Sequence, residues 1–178
     1  MEELNKIFTK HIDEGRFPGI QWQINIKNEI YSGKVGCNNI ETKEPVLDNT
    51  IYRIWSMTKP VVAVAALQLL EQNKIQLDDL ITKYLPEFSN LKVLKNIDSF
   101  IDDVEDVRIL PTIKDLFLHT AGFSYNFLAD PVGRKYDSIK LFHSDTTSLE
   151  EEIKKLAKVP LLYQPKNKWV YSVSMDVL

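Results

Sequence analysis

One cysteine, Cys37, and three histidines are all that 178 residues offer to a borderline metal. Cys37 can close no internal disulfide, so the fold must hold by packing. His11, His119 and His143 show no metal-ligand spacing, and neither a metal nor any other cofactor is expected. The six glycines form no phosphate loop and no dinucleotide fingerprint. An excess of one charge is also missing. Twenty-two Lys and Arg against 25 Asp and Glu give a net charge of -3, which offers no long-range attraction to phosphate backbones, and nucleic acid is not an expected partner. Long hydrophobic runs are absent as well. Val61 to Leu70, interrupted by Gln68, is about half a membrane span, and the start MEELNKIFTKHIDEG lacks the basic lead and apolar stretch of a secretory signal. A soluble, cytoplasmic protein with no transmembrane segment is the expectation. A processed or engineered start would leave an envelope or secreted protein with the same residues.

What is present is a chain 44% hydrophobic and 26% charged, the composition of a globular domain rather than of a collagen-like, mucin-like or disordered one. At 20.6 kDa it is expected to expose roughly 8,900 Å² when folded against roughly 30,000 Å² unfolded, a burial of about 70%.

Leu4, Ile7, Phe8, His11 and Ile12 recur at helical spacing, and Gly15 offers a stop, so a helix is expected over 2–14. Ile20 to Ile26 alternates with the period of a half-buried strand; Lys27-Asn28-Glu29 makes a turn, and Ile30 to Val35 returns beside it. A short strand at Ile51 to Ile54 leads into Trp55-Ser56. Ser56 can cap the following helix, Pro60 is tolerable in its first turn, and Val61 to Leu70 are apolar nearly all round, so this helix should be central. A short helix is expected at Leu77 to Tyr84, ended by Pro86. Residues 87–109 have no sustained period and read as an irregular excursion. Thr112 and Asp115 form a capping-box pattern at the start of a helix over Ile113 to His119, ended by Thr120-Ala121-Gly122. Another helix is expected over Thr147 to Val159, with Glu150, Glu151 and Glu152 near its positive end. Trp169 to Ser172 is extended, and Ser174 to Leu178 begins a helix. Strands are expected only before residue 55, which leaves a sheet edge and a sheet face unserved.

Ser56-Met57-Thr58-Lys59 sets a hydroxyl and an amine one helical turn apart. A neutral lysine can take the serine's proton, provided burial or a second cation depresses its pKa, and the helix start turns backbone N–H groups toward a developing oxyanion. Spacing alone favours the blander reading, a capping serine followed by a solvated lysine.

Order and context go further. The chain resembles the serine beta-lactamase and penicillin-binding-protein superfamily, in its branch of class C beta-lactamases, D-aminopeptidases and related esterases. The resemblance rests on Tyr52-Arg53-Ile54-Trp55-Ser56-Met57-Thr58-Lys59, on Ile75-Gln76-Leu77-Asp78-Asp79 followed by Tyr84-Leu85-Pro86, on Thr112 through Gly122, and on Trp169-Val170-Tyr171-Ser172-Val173-Ser174. It implies an α+β, beta-lactamase/transpeptidase-like fold, here incomplete. Residues 1–55 would give the amino-terminal helix and first strands, 56–170 the core helix and helical domain, and 171–178 the tyrosine motif and the start of a helix.

The resemblance also implies roles. Ser56 would be the acyl-accepting nucleophile, Lys59 its proton-transfer partner and Tyr171 the second basic group; which of the last two is the base stays open. Trp55, His119, Gly122, Phe123, Tyr125, Trp169 and Val173 would line the substrate pocket or shape it. His119 is expected to close its helix and place a loop, and Phe123, Tyr125 and Phe127 lie near enough to Gly122 to border a pocket or simply to pack. Members acting on beta-lactams usually carry Asn two positions after the tyrosine, where this chain has Val173. That departure points to the esterase branch. The implied activity is a serine hydrolase forming an acyl-enzyme from an ester or amide, with a beta-lactamase or D-aminopeptidase, or a non-catalytic sensor, as alternatives. The implied partners are a small-molecule ester, amide or beta-lactam, and a cover for the open sheet from the chain's own carboxy-terminal half or a symmetry mate.

Overall fold

In the computed structural model, which describes residues 2–143 and 146–178, the chain divides into two compact units, Met1–Ile54 and Trp55–Leu178. Both are α+β, and their sheets are small, open and two-stranded.

The first unit is a helix beside a hairpin. Helix α1 (Glu2–Asp13) has acidic residues in its first turn and basic ones in its last, the order its dipole favours. Strands β1 (Gly19–Ile26) and β2 (Glu29–Gly36) pair antiparallel from Gly19 opposite Gly36 to Ile26 opposite Glu29. Lys27 and Asn28, with φ of 51° and 70°, form the tight turn whose twist matches the strands. The Trp22 indole N–H donates to Asn5 Oδ1 at 2.9 Å, tying the hairpin to the helix. The short strand expected at 51–54 does not form: those residues are exposed and find no ladder partner among the described residues.

In the second unit a 3₁₀ turn (Trp55–Met57) runs straight into α2 (Thr58–Glu71). The expectation that α2 would be central is corrected. Only Ala66 is buried, while Val61, Val64 and Leu67 stand 62%, 56% and 49% exposed. The helix is apolar all round, but its neighbours cover one narrow side. The total accessible surface is accordingly 11,936 Å², well above the roughly 8,900 Å² expected for the mass.

The core lies elsewhere, around Phe88, Val93, Leu116, Phe123, Tyr136, Leu156 and Leu161. The helix expected at 77–84 shortens to a 3₁₀ turn (Ile81–Lys83), because Asp79 spends its carboxylate on the Gln76 N–H, the Lys83 ammonium and the Tyr84 hydroxyl. The irregular excursion contains a 3₁₀ turn (Pro86–Asn90) and a hairpin of β3 (Lys92–Leu94) and β4 (Val104–Asp106), so strands are not confined to the region before residue 55. Three residues per strand are too few for periodicity to show. They hold because Val93 and Leu94 are buried and Leu94 N–H donates to the Leu161 carbonyl.

Helix α3 (Ile113–Phe117) starts with the expected capping box: Thr112 N–H donates to Asp115 Oδ2 at 2.9 Å, and Asp115 N–H to Thr112 Oγ1 at 3.3 Å. Helix α4 (Pro131–Ser138) was not foreseen, although Asp130-Pro131 is a sound start, with Asp130 accepting from Gly133 N–H. Helix α5 (Leu149–Leu156) is capped reciprocally by Ser148 and Glu151, and α6 (Ser174–Val177) packs on α3 and α2. No helix among the described residues is long and apolar enough to cross a membrane.

Candidate active site

Ser56 does not cap α2; Met57 occupies that position without a side-chain bond. Its hydroxyl is instead engaged from 115 residues away: the Tyr171 O–H donates to Ser56 Oγ at 2.7 Å. Lys59, three residues on and in the first turn of α2, puts its ammonium 4.8 Å from the centre of the Tyr171 ring and 5.3 Å from that of Tyr125, and donates to the Tyr125 hydroxyl at 3.4 Å. Tyr125 and Tyr171 stack with centroids 5.7 Å apart and planes 14° apart, and Phe127 also stacks with Tyr125, at 4.6 Å. Trp55, next to the serine, holds a left-handed φ of 47°, an uncommon conformation for a large residue and one that gathers at functional sites.

His119 sets the tyrosine in place. It ends α3 with φ of 53°, its carbonyl accepts the Val170 N–H at 3.0 Å, and its Nδ1 accepts the Ser172 N–H at 3.2 Å. An accepting Nδ1 places the neutral ring's proton on Nε2. The ring lies 5.1 Å from Tyr171 and 6.2 Å from Trp169. Residues on both sides of Tyr171 are therefore pinned to one histidine. Gly122 makes this turn possible, since with φ of 93° a Cβ there would fall 2.2 Å from the Tyr163 carbonyl oxygen.

The electrostatics follow from packing. Partial burial works to lower the Lys59 pKa, but the hydroxyls of Tyr171 and Tyr125 outweigh it and the net displacement is upward, so the lysine is held as a cation. That reverses the depressed lysine a Lys base would need. The hydrogen bond with Ser56 leads in lowering the Tyr171 pKa, helped by Lys59 and opposed by burial and by Asp176. Burial lowers the His119 pKa, with Lys59 adding to it. Asp176 is displaced upward by burial, with Lys59 opposing.

A pocket of about 800 Å³ opens beside these groups, walled by Trp55, Val62, Tyr125, Phe127, Leu141, Phe142, Val173 and Met175, with Ser56, Lys59 and Asp176 among its polar members. Of the expected residues, Trp55, Tyr125 and Val173 line it. Phe123 does not: it is buried against Phe88, ring edge to face at 5.8 Å, and belongs to the core. Trp169 stands outside the pocket against His119, and Gly122 acts through the backbone. His143, expected in a polar loop, reaches the pocket wall, where it contacts Asn126. Asn126, Tyr136, Asp137, Leu149 and Asp176 were not foreseen. They come from loops and short helices whose pattern is that of packing, and only their place in the same pocket as Ser56, Lys59 and Tyr125 marks them.

Residues 4–178 match the Beta-lactamase family. The chain is 32% identical over 181 aligned residues to the esterase EstB of Burkholderia gladioli, an alignment covering 98% of this chain and 43% of that protein. Among solved structures it is similar to EstCE1, a hydrolase with promiscuous acyltransferase activity, with a TM-score of 0.77 and 28% identity over 99% of this chain and 44% of that one. It is also similar to the simvastatin synthase LovD of Aspergillus terreus, with a TM-score of 0.70 and 26% identity over 97% and 44%. The chain thus spans less than half the length of these relatives. Its ordered motifs, its fold and these likenesses agree, and the chain belongs to the beta-lactamase family, on its esterase- and acyltransferase-like side.

Proposed function

We propose that the protein is a serine hydrolase of carboxylesterase type, acting through an acyl-enzyme on Ser56. The single observation that carries the reading is the 2.7 Å hydrogen bond from Tyr171 to Ser56 Oγ beside a lysine held as a cation. Lys59 favours the Tyr171 phenolate. That phenolate takes the Ser56 proton as Oγ attacks the ester carbonyl, and the oxyanion forms near the N–H groups that open α2. As the tetrahedral adduct collapses, the leaving alkoxide takes the proton from Tyr171. Water then attacks the acyl carbonyl and gives its proton to Tyr171, which returns it to Ser56 as the acid departs. The small-molecule substrate is an ester, because Val173 offers no side-chain hydrogen bond to a lactam amide or its neighbours.

A second reading has its own support. EstCE1 is described as a hydrolase with promiscuous acyltransferase activity, and the pocket beside Ser56 is wide and mostly apolar. An alcohol bound there would replace water in the second step. Time-resolved intact mass of the intact protein with a short-chain activated ester, with and without an added alcohol, and separately with a penicillin, tests both. An ester-derived adduct that decays with turnover and is lost in Ser56→Ala is expected. Turnover that survives Ser56→Ala unchanged overturns the reading, and a stable penicillin adduct without ester turnover replaces it with a binding or sensor role.

A further inference from the structure

Among the ionisable groups of the pocket wall that the mechanism above does not use, Asp176 is a carboxylate with a buried, unpartnered oxygen. Asp176 sits in α6, five residues after Tyr171, and lines the same pocket as Ser56, Lys59 and Tyr125. Its Oδ2 is sealed from solvent and accepts no hydrogen bond among the described residues. A buried carboxylate oxygen without a donor is costly, and such groups are rare in folded proteins outside sites that use them. The cation of the site lines the same pocket: Lys59 lies over the stacked rings of Tyr125 and Tyr171, and its charge opposes the upward displacement of Asp176 by burial, while Asp176 in turn raises Tyr125 and Tyr171.

We propose that Asp176 is a positioning residue of this site, a fixed negative charge that balances the Lys59 ammonium across the pocket and sets how tightly Tyr171 holds its proton. The inference rests on the reading of Ser56, Lys59 and Tyr171 as one proton-transfer unit. Lys59 alone pulls Tyr171 toward phenolate; a tyrosine pulled too far would be a weak base toward the serine. Asp176 opposes that pull and keeps the phenol basic, while leaving Lys59 charged.

Among the described residues, few charged groups stand near Asp176. Lys59 comes from α2 and Tyr125 from the loop after α3, with Asp137 and His143 along the same pocket wall; Tyr171, from the segment ahead of α6, stacks on Tyr125. On α3, against which α6 packs, Asp115 is occupied by its own cap and by Thr120, and Lys114 is exposed.

The test is an ultraviolet titration of tyrosine ionisation in the intact protein, with Tyr171→Phe subtracted to isolate the Tyr171 component. In Asp176→Asn the Tyr171 midpoint is expected to fall by roughly half to one pH unit, because a negative neighbour has been removed. Asp176→Glu, which keeps the charge, should restore it. An unchanged midpoint in a folded Asp176→Asn variant overturns the proposal. A measurement on the wild type needs no variant at this position: the Asp176 carboxyl carbon, followed by NMR, should show a second step at the Tyr171 midpoint, and its absence also overturns the proposal. Both titrations read the resting protein. Their outcome therefore stands apart from whether Ser56 is acylated, which the Ser56→Ala experiment decides.

Discussion

Tyr171 is held from two directions, by the stack with Tyr125 and by the backbone bonds that His119 makes on either side of it, so its hydroxyl arrives at Ser56 with little freedom left to lose. Orientation of this kind supplies much of the advantage of a fixed catalytic group. Tyr171→Phe removes one oxygen and none of the ring contacts. Its expected effect is a loss of about 10²- to 10⁴-fold in kcat for ester hydrolysis, with the thermal midpoint nearly unchanged. Steady-state kinetics beside a thermal melt separates the two, and a variant that retains wild-type kcat removes Tyr171 from the proton path. At this scale the sequence was legible in part. The Ser56–Lys59 spacing is visible as one helical turn, whereas nothing local to Tyr171 marks it; only the order of motifs along the chain does. Nothing in the sequence marked Asp176 as a pocket residue, because Lys59 and Tyr125, which line the pocket with it, are distant in sequence.

At the scale of the element, short helices with explicit caps carry the site more than the long apolar one does. Helix α3 has five residues and could not persist unaided. Its capping box is extended by Thr112 Oγ1 donating to Asp115 Oδ2 at 2.7 Å and by Thr120 Oγ1 donating to Asp115 Oδ1 at 3.1 Å, so one buried carboxylate closes both ends of the helix that delivers His119. Thr112→Ala should cost about 1 kcal/mol, and up to about 2 kcal/mol given the burial, measured by denaturant unfolding of the intact protein. Because His119 pins Tyr171, kcat should fall along with stability. A variant that loses neither would show that the loop is held by other contacts. The Thr112–Asp115 cap was readable in the sequence, since a Thr three residues before an acid has a local physical cause, whereas the cap expected of Ser56 fails because its hydroxyl is taken by a tyrosine distant in sequence. The hairpin β3–β4 and the strand expected at 51–54 were misjudged for the opposite reason: three or four apolar residues become a strand only where a partner edge is offered, and that is a tertiary fact.

For the whole molecule, the decisive quantity is apolar surface left in water. Helix α2 has the composition of a buried helix and yet shows Val61, Val64, Leu67 and Leu69 at its surface, and the β1–β2 hairpin has only its one pairing among the described residues, with Ile26 and Ile30 at 50% and 64% exposure. Patches of this kind mark surfaces that another piece of protein covers, and open strand edges invite pairing. The relatives are more than twice as long as this chain, and the sequence pattern of α2 is that of a helix enclosed on every side. Residues 1–178 produced by themselves should therefore associate with one another and bind an environment-sensitive apolar dye. Sedimentation velocity across a concentration series is expected to show species heavier than the monomer. Replacing Val61 and Val64, neither of which lines the pocket, by Lys should shift the distribution back toward the monomer and lower the dye signal. A monodisperse, dye-silent monomer at every concentration would mean that α2 is content in water, and that the enclosure its sequence implies is not needed for this part of the fold to stand.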